Sequence, residues 1–203
     1  MTVTELIQTS PDRITLHFDD GTELKTSLAV VTEKLLHVGS VLDDDAFCAL
    51  CDASTLSLCK ARALRIVNAR PLSRRELYKK LVEKGESPQN AEECADWLCR
   101  MGLISDETYA ASLVRHYAAK GYGEARVRQE LNRHGIPREL WEDAMNEMPG
   151  QEDTLERFIR ARLTDPNDKA QIKKISDALF RRGYSWEQIR HAFYIFNSQE
   201  DES

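Results

Sequence analysis

Twelve basic side chains recur at close spacing in three separated stretches of the chain, and the chemistry they offer is the binding of anions. They are Arg70, Arg74, Arg75, Lys79 and Lys80, then Arg126, Arg128 and Arg133, then Lys173, Lys174, Arg181 and Arg182. Clustered guanidinium and ammonium groups attract a polyanion because they neutralise its charges and release its condensed counterions. The pattern indicates a surface for an extended anionic partner, which is either a nucleic acid or an acidic groove on a protein.

The distribution of charge along the chain is consistent with a basic face on an otherwise acidic protein. The 203 residues carry a net charge of -6, yet residues 1–55 alone carry -7 and residues 60–84 carry +7. A net acidic protein can still bind a polyanion through such a face, because charges beyond a Debye length of ~10 Å are screened. The alternative is that the blocks are solvated helix faces that pair with one another, and the sequence of a single block is equally compatible with both interpretations.

The chain lacks the local motifs of the common enzyme classes. It contains neither a GxxxxGK[ST] phosphate loop nor a GxGxxG dinucleotide fingerprint, and no histidine pair has the spacing of a metalloprotease. We therefore predict that the protein is not an enzyme, has no catalytic residue and takes no cofactor. An enzyme whose residues meet only in the folded chain is a third possibility, which a buried carboxylate or Cys–His cluster in a cleft would support.

The five cysteines and the acidic run Asp43–Asp45 are the candidate metal ligands. Cys48 and Cys51 have CxxC spacing, but no second CxxC follows, as structural zinc sites usually require. We predict no metal site, cysteines that act as small hydrophobic residues, and a helix cap at the acidic run. No apolar run approaches the ~18 residues of a membrane span. The N-terminus lacks the pattern of a signal peptide, so a cytoplasmic protein without a disulfide framework is expected.

A threefold pattern shows which elements must position the basic residues. Apolar residues lie eight and four positions before a glycine three times, in Leu77-x3-Leu81-x3-Gly85, Val127-x3-Leu131-x3-Gly135 and Ile175-x3-Leu179-x3-Gly183. The i, i+4 pair forms one stripe of a helix, and the glycine is suited to a left-handed C-terminal cap. The glycines are 50 and 48 residues apart, which indicates a repeated unit with room for three helices of about four turns each. The basic residues fall on the middle helix of each unit.

Aromatic residues suggest packing more than base recognition. Those near the basic residues are sparse, namely Tyr78, Tyr122, Phe180 and Tyr184, so a stacking platform for bases is not indicated. Trp97, Trp141 and Trp186 recur on the third helix of each unit. We interpret them as half-buried packing residues, and the alternative is that they anchor an interface.

The predicted fold is mainly α: three tandem three-helix repeats form an elongated curved body that follows a small N-terminal β module. Residues 13–18 alternate with period two, Asp19-Asp20-Gly21 supplies a turn, and residues 22–28 return as a partner strand. The first predicted division, residues 1–45, is an antiparallel β hairpin module with a short helix at residues 29–36. The three repeats follow at residues 46–104, 105–150 and 151–197, and residues 198–203 form a frayed acidic tail.

These motifs resemble those of the RecX family, the regulators of the RecA recombinase. The matching residues are Ala61–Leu81 with Arg70-Pro71-Leu72-Ser73 and Glu76-Leu77, Lys84-Gly85, Gly102-Leu103-Ile104-Ser105-Asp106, Tyr109-Ala110, Lys120-Gly121-Tyr122-Gly123, and Arg126–Leu131 running to Gly135-Ile136. The resemblance covers about residues 57–197, with the second repeat the most specific match and the third looser. The β hairpin resembles an extension that longer members carry, and Pro71 stands where many members have another residue.

The resemblance implies a non-enzymatic modulator of DNA repair, homologous recombination and the SOS response. Members bind the RecA filament on single-stranded DNA along its helical groove, and they inhibit ATP hydrolysis, strand exchange and filament growth. The implied partners are the RecA filament and single-stranded DNA, contacted directly or through RecA, with no membrane and with the chain as a monomer. The alternative from the residues is a helical-repeat protein that binds DNA without RecA, and its signature would be tight duplex binding with a steep salt dependence.

Overall fold

The computed structural model describes residues 1–200, which form two compact units, Met1–Ile104 and a second that begins at Ser105. Within residues 1–200 there are ten α-helices, one 3-10 turn and three strands, so the described chain is mostly helical, as the sequence predicted. Of the tail predicted for 198–203, residues 198–200 belong to the last helix, and 201–203 lie outside the described residues. The predicted domain boundaries stay a prediction.

The N-terminal unit opens with a three-stranded antiparallel sheet of β1 (Val3–Ser10), β2 (Arg13–Phe18) and β3 (Glu23–Ser27), in that order. Alternation in β2 directs Ile14 and Leu16 into the core, and Leu16 lies opposite Leu24 of β3. The predicted hairpin is therefore confirmed, and the apolar run before it adds β1 as a third strand.

Two helices connect the sheet to the rest of the unit. The short helix α1 spans Leu28–Glu33 and ends earlier than the predicted residue 36, because the chain turns at Leu35, which has a positive φ of 52°. Helix α2 (Asp44–Ala69) begins at the side chain of Asp43, which accepts a hydrogen bond from the Ala46 amide, as the predicted cap requires.

Helix α2 belongs to two cores at once. Its first half packs on the sheet, where the Phe47 ring meets Phe18 edge to face at 5.2 Å and Ser54 donates a 2.8 Å hydrogen bond to Thr26. Its second half buries Cys59 and Ala63 in a separate cluster with α3 (Arg74–Glu83) and α4 (Pro88–Arg100). One rigid helix therefore joins the sheet to the first three-helix group.

The first three-helix group follows the predicted stripe and cap. Helix α3 begins in a capping box of Ser73 and Glu76, buries Leu77 and Leu81 completely, and is followed by a glycine in the left-handed region. The corresponding glycines of the second and third patterns also have positive φ, at 73° and 93°. The threefold sequence pattern thus corresponds to three equivalent helix ends.

The C-terminal unit contains the other two groups of helices. The second group is α5 (Asp106–Ala119), α6 (Glu124–Arg133), a 3-10 turn at Arg138–Leu140 and α7 (Trp141–Met145). The third group is α8 (Glu152–Arg160), α9 (Lys169–Arg181) and α10 (Trp186–Glu200). Helix α7 is shorter than the predicted four turns, because the chain after Pro137 first forms the 3-10 turn at Arg138–Leu140 and the α-helix itself ends at Met145.

Within this unit the second and third groups meet at two glycines. The Gly123 amide donates a 2.9 Å hydrogen bond to the Arg182 carbonyl, and the Ala125 amide donates one of 3.2 Å to the Gly183 carbonyl. A Cβ atom on Gly123 would lie 2.5 Å from the Gly183 oxygen, and one on Gly183 would overlap the backbone of Arg126. The start of α6 therefore docks against the end of α9 at a distance that side chains would forbid.

No helix among residues 1–200 combines the length and the apolar character needed to cross a bilayer.

Candidate functional site

In the first group, Arg74 is held by the neighbouring helix. Its guanidinium bonds to Glu92 and, at 2.7 and 2.9 Å, to Asp96 on α4. The hydrogen bonds to Glu92 and then to Asp96 hold the pKa of Arg74 above the ordinary value of an arginine. Arg70 lies just before α3 and pairs with Glu76 at 3.5 Å. Both residues have intramolecular anionic partners, so both also tie the group together.

The three arginines of α6 are also paired. Glu130 is only 4% exposed, and its carboxylate accepts Arg126 at 2.8 Å and Arg133 at 2.6 Å. Arg128 is shared between Glu124 at 2.7 Å and Glu142 at 2.9 Å. The middle helix of the second group therefore carries neutralised rather than free positive charge.

Arg182 has a structural partner of a different kind. Its Nη1 donates hydrogen bonds of 3.2 Å to the carbonyl oxygens of Lys120 and Gly121, at the end of α5. Its guanidinium also lies over the Tyr122 ring at 5.6 Å and the Phe158 ring at 5.0 Å. A cation at a helix C-terminus interacts favourably with the negative end of the helix dipole. Arg182 therefore fastens the third group to the second.

The remaining predicted residues form a separate class, which we call the unpaired cations. Among the side chains that the structure describes, which end at residue 198, these have no carboxylate within 4 Å, and they are Arg75, Lys79, Lys80, Lys173, Lys174 and Arg181. All but the half-buried Lys80 are exposed. They lie on α3 and α9, the middle helices of the first and third groups. A continuous stripe through all three repeats stays a prediction.

The structure adds basic residues that the sequence did not single out as a site. An open groove with a volume of about 410 Å³ runs between α2 and α3, and we call it the basic groove. Its lining residues are Arg62, Arg65, Ile66, Ala69, Arg70, Lys80 and Lys84. Two of the predicted residues, Arg70 and Lys80, meet here with three cations outside the predicted set.

A local signal for this groove exists in the sequence. Arg62, Arg65, Ile66 and Ala69 are spaced i, i+3, i+4 and i+7, so they share one face of a helix. What the spacing does not show is which helix that face meets. The structure supplies the answer, because α3 turns Lys80 and Lys84 toward the same face.

The three tryptophans differ in their surroundings. Trp97 is half-buried with the Lys60 ammonium 5.5 Å above its ring, and the Trp141 indole donates a 3.0 Å hydrogen bond to the Ile136 carbonyl. Trp186 is 48% exposed and stacks on Phe180 at 4.9 Å. The first two pack within their groups, whereas the Phe180–Trp186 pair is open to solvent.

The cysteines lie in the described chain as free thiols. Cys59 and Cys94 are fully buried in the core of the first group. A hydrogen bond between the two thiols, together with burial, changes the pKa of each. The hydrogen bond to Cys94 raises the pKa of Cys59, and burial of the thiol raises it further. Among residues 1–200 no group of three or more His, Cys, Asp or Glu side chains is placed to hold a metal ion.

Comparison with known proteins identifies the helical groups. The family model described as the first three-helix domain of RecX matches residues 59–98, and the model of the second three-helix domain matches residues 105–145. These ranges correspond to most of α2–α4 and to α5–α7.

Curated relatives extend the match. The chain is 37% identical over 134 residues to "Regulatory protein RecX" of Stenotrophomonas maltophilia, which covers 64% of this chain and 82% of the relative. It is 36% identical over 134 residues to the protein of the same name from Xanthomonas axonopodis pv. citri, covering 64% and 83%.

Solved structures share the fold. A crystal structure of regulatory protein RecX superposes with a TM-score of 0.75 at 21% identity, covering 97% of this chain and 98% of the other. The crystal structure of RecX from Lactobacillus salivarius gives 0.64 at 22% identity, covering 71% and 98%. With sequence identity above a third over most of the curated relatives' length, two matching domain models and the same fold, the chain belongs to the RecX family.

Proposed function

We propose that this chain binds the RecA filament on single-stranded DNA along its groove and inhibits ATP hydrolysis, strand exchange and filament growth. Membership of a family whose curated members are named as regulatory proteins supports a regulator. The observation that carries the proposal is the presence of unpaired cations on equivalent middle helices of the first and third groups. Repeated units with similar charged faces suit a partner that is itself a repeating polymer, because many weak contacts act together.

The unpaired cations outside the basic groove are the proposed contacts with the filament. They are Arg75, Lys79, Lys173, Lys174 and Arg181, whose charges have no carboxylate partner within the described chain. Contacts of this kind change an equilibrium only if they are stronger in one state of the filament than in another. Inhibition therefore requires that the bound chain favour a filament that hydrolyses ATP slowly or does not grow.

The test is RecA ATP hydrolysis on single-stranded DNA with and without this chain, at two salt concentrations. We expect the hydrolysis rate to fall as the chain is added, and the inhibition to weaken at the higher salt because the proposed contacts are exposed charges. Hydrolysis that is unaffected at both salts contradicts the proposal.

A charge-reversal variant tests the residues. Arg75→Glu, Lys173→Glu and Lys174→Glu together should raise the concentration for half-inhibition by about tenfold to a hundredfold, since three exposed contacts of about 0.5 to 1 kcal/mol each sum to about 1.5 to 3 kcal/mol. The matched control carries Lys25→Glu, Lys34→Glu and Arg100→Glu, which are exposed, belong to neither the filament contacts nor the basic groove, and give the same change in charge. Equal effects of the two triple variants would show that net charge, not these positions, governs inhibition.

The proposal also includes the compartment and the oligomeric form in which the chain acts. We place the chain in the cytoplasm, where it acts as a monomer and without catalysis of its own.

A further inference from the structure

The basic groove concentrates positive charge beyond what the fold uses. Five of its seven lining residues are cations, and the other two, Ile66 and Ala69, form a small apolar floor. Glu86 bonds to Arg62 and Glu76 pairs with Arg70, but neither carboxylate lines the groove. Among the described residues, Arg65, Lys80 and Lys84 have no carboxylate within 4 Å. At least three positive charges therefore face one another without compensation.

Helix dipoles explain only part of this arrangement. Lys80 and Lys84 lie in and just after the last turn of α3, where cations interact favourably with the helix C-terminus. Arg62 and Arg65 lie one to two turns before the end of α2, and the dipole effect falls off within the last turn. Like charges brought together raise the free energy of the folded chain, and a bound anion would lower it. Arg62 is compensated by Glu86, but Arg65 has no carboxylate within 4 Å among the described residues and lines the same groove as Lys80 and Lys84, so this uncompensated charge indicates a ligand.

The shape of the groove indicates what kind of anion this is. From Arg62 to Ala69 the helix rises about 10 Å, which is long enough for more than one phosphate of a strand whose charges are about 3.4 Å apart or more. No aromatic side chain lines the groove, so bases have no stacking platform. The walls are two helices whose backbone groups bond internally, so a peptide backbone finds no open strand edge here, and an acidic peptide would be held through its carboxylates alone. Arginine forks and lysine ammonium groups on such walls recognise phosphate oxygens.

We propose that the basic groove binds the phosphodiester backbone of a single nucleic-acid strand, without preference for base sequence. The inference rests on the proposed function for the identity of that strand, which is the single-stranded DNA of the filament. It gives the first group a contact with DNA that is separate from the filament contacts on the exposed side of α3 and on α9.

The test measures binding of a fluorescein-labelled oligothymidylate to the full chain by anisotropy, with RecA absent. The groove variant carries Arg65→Glu, Lys80→Glu and Lys84→Glu, and none of these residues has a carboxylate partner whose loss would unfold the described chain. We expect it to weaken binding by about tenfold or more and to lower the slope of log affinity against log salt by about 2, since each neutralised phosphate of a single strand contributes about 0.7. A milder variant with glutamine at the same three positions should show the same direction.

The control is the triple variant at Lys25, Lys34 and Arg100, which should bind as the unmodified chain does. Equal loss in groove and control variants, or no loss in the groove variant, overturns the inference. A competition experiment compares polyglutamate with unlabelled oligothymidylate as competitors for the labelled oligonucleotide. If polyglutamate displaces it equally well, the assignment to phosphodiesters is overturned and an acidic protein is favoured. The proposed function fails separately, by unchanged RecA hydrolysis with the unmodified chain, and that result leaves the oligonucleotide titration readable.

Discussion

Arginines of the same sequence pattern perform different tasks in this fold. Arg181 and Arg182 are adjacent at the end of α9, yet Arg181 is exposed, whereas Arg182 bonds to two carbonyl oxygens and lies over two aromatic rings. A basic block in a sequence therefore contains both surface charges and structural charges. Only the partners distinguish them, and here the two carbonyl partners of Arg182 are 61 and 62 residues away in the chain.

Replacing Arg182 with alanine should destabilise the C-terminal unit by about 2 kcal/mol, because two charge-assisted hydrogen bonds and the ring contacts are lost. Arg181→Ala at the neighbouring exposed position should change the free energy of unfolding by less than about 0.5 kcal/mol. Urea denaturation followed by circular dichroism measures both. Similar values for the two variants would contradict the structural task assigned to Arg182.

Glu130 shows a second structural use of charge. It is almost fully buried and accepts hydrogen bonds from two arginines of its own helix, both of which are partly exposed. Replacing it with alanine should lower the free energy of unfolding by about 1 to 3 kcal/mol, because the two charge-assisted hydrogen bonds of a buried carboxylate are lost. The cost stays within this range because the two arginines remain in contact with water. Glu124→Ala, which removes an exposed carboxylate from Arg128, should cost less than about 1 kcal/mol in the same denaturation experiment.

Helix ends are where the sequence was most informative. The Leu77–Leu81–Gly85 pattern and its two counterparts predicted a helix stripe and a left-handed cap, and the structure confirms both. The sequence did not distinguish the three glycines from one another. Gly85 faces open space, whereas Gly183 touches the backbone of another helix, and that contact depends on how two distant segments dock.

This difference predicts unequal costs for one substitution. Gly85→Ala should cost about 1 to 2 kcal/mol, which is the strain of a left-handed conformation for a residue with a side chain. Gly183→Ala should cost about 3 kcal/mol or more, because its Cβ would also overlap the backbone of Arg126 and separate α6 from α9. Thermal melts of the two variants compare the costs, and equal shifts would contradict the tight docking at Gly183.

The candidate site was predictable in part. The exposed members of the basic set on α3 and α9 could be found from local sequence, because they need no partner. The neutralised arginines of α6 could be distinguished in part, because Glu124 and Glu130 lie three or four residues from them on the same helix. Only the pairing of Arg128 with Glu142 on another helix was hidden from the sequence. The basic groove was hidden for the same reason: the sequence places Arg62 and Arg65 on one helix face, but only packing brings Lys80 and Lys84 to it.

Taken as a whole, the described chain consists of two units with separate cores. The N-terminal unit holds the sheet cluster and the first helical cluster, and the C-terminal unit holds the other two. We expect fragments 1–104 and 105–203 each to show a cooperative unfolding transition when expressed alone. Fragments divided near residue 55 should not, because the cut falls within α2, which serves two cores. Denaturant titrations of the fragments test this, and non-cooperative unfolding of both would contradict it.

The length of α2 has a consequence for how this molecule can vary. Because a single uninterrupted rod carries the sheet at one end and the groove cations at the other, its residue count fixes the angle between them. One inserted residue would swing the groove arginines by about 100° around the rod, whereas seven would return them almost to their starting direction. We therefore expect this segment to tolerate insertions whose length is close to a whole number of helical turns. Such insertions preserve the direction of the groove arginines relative to the sheet.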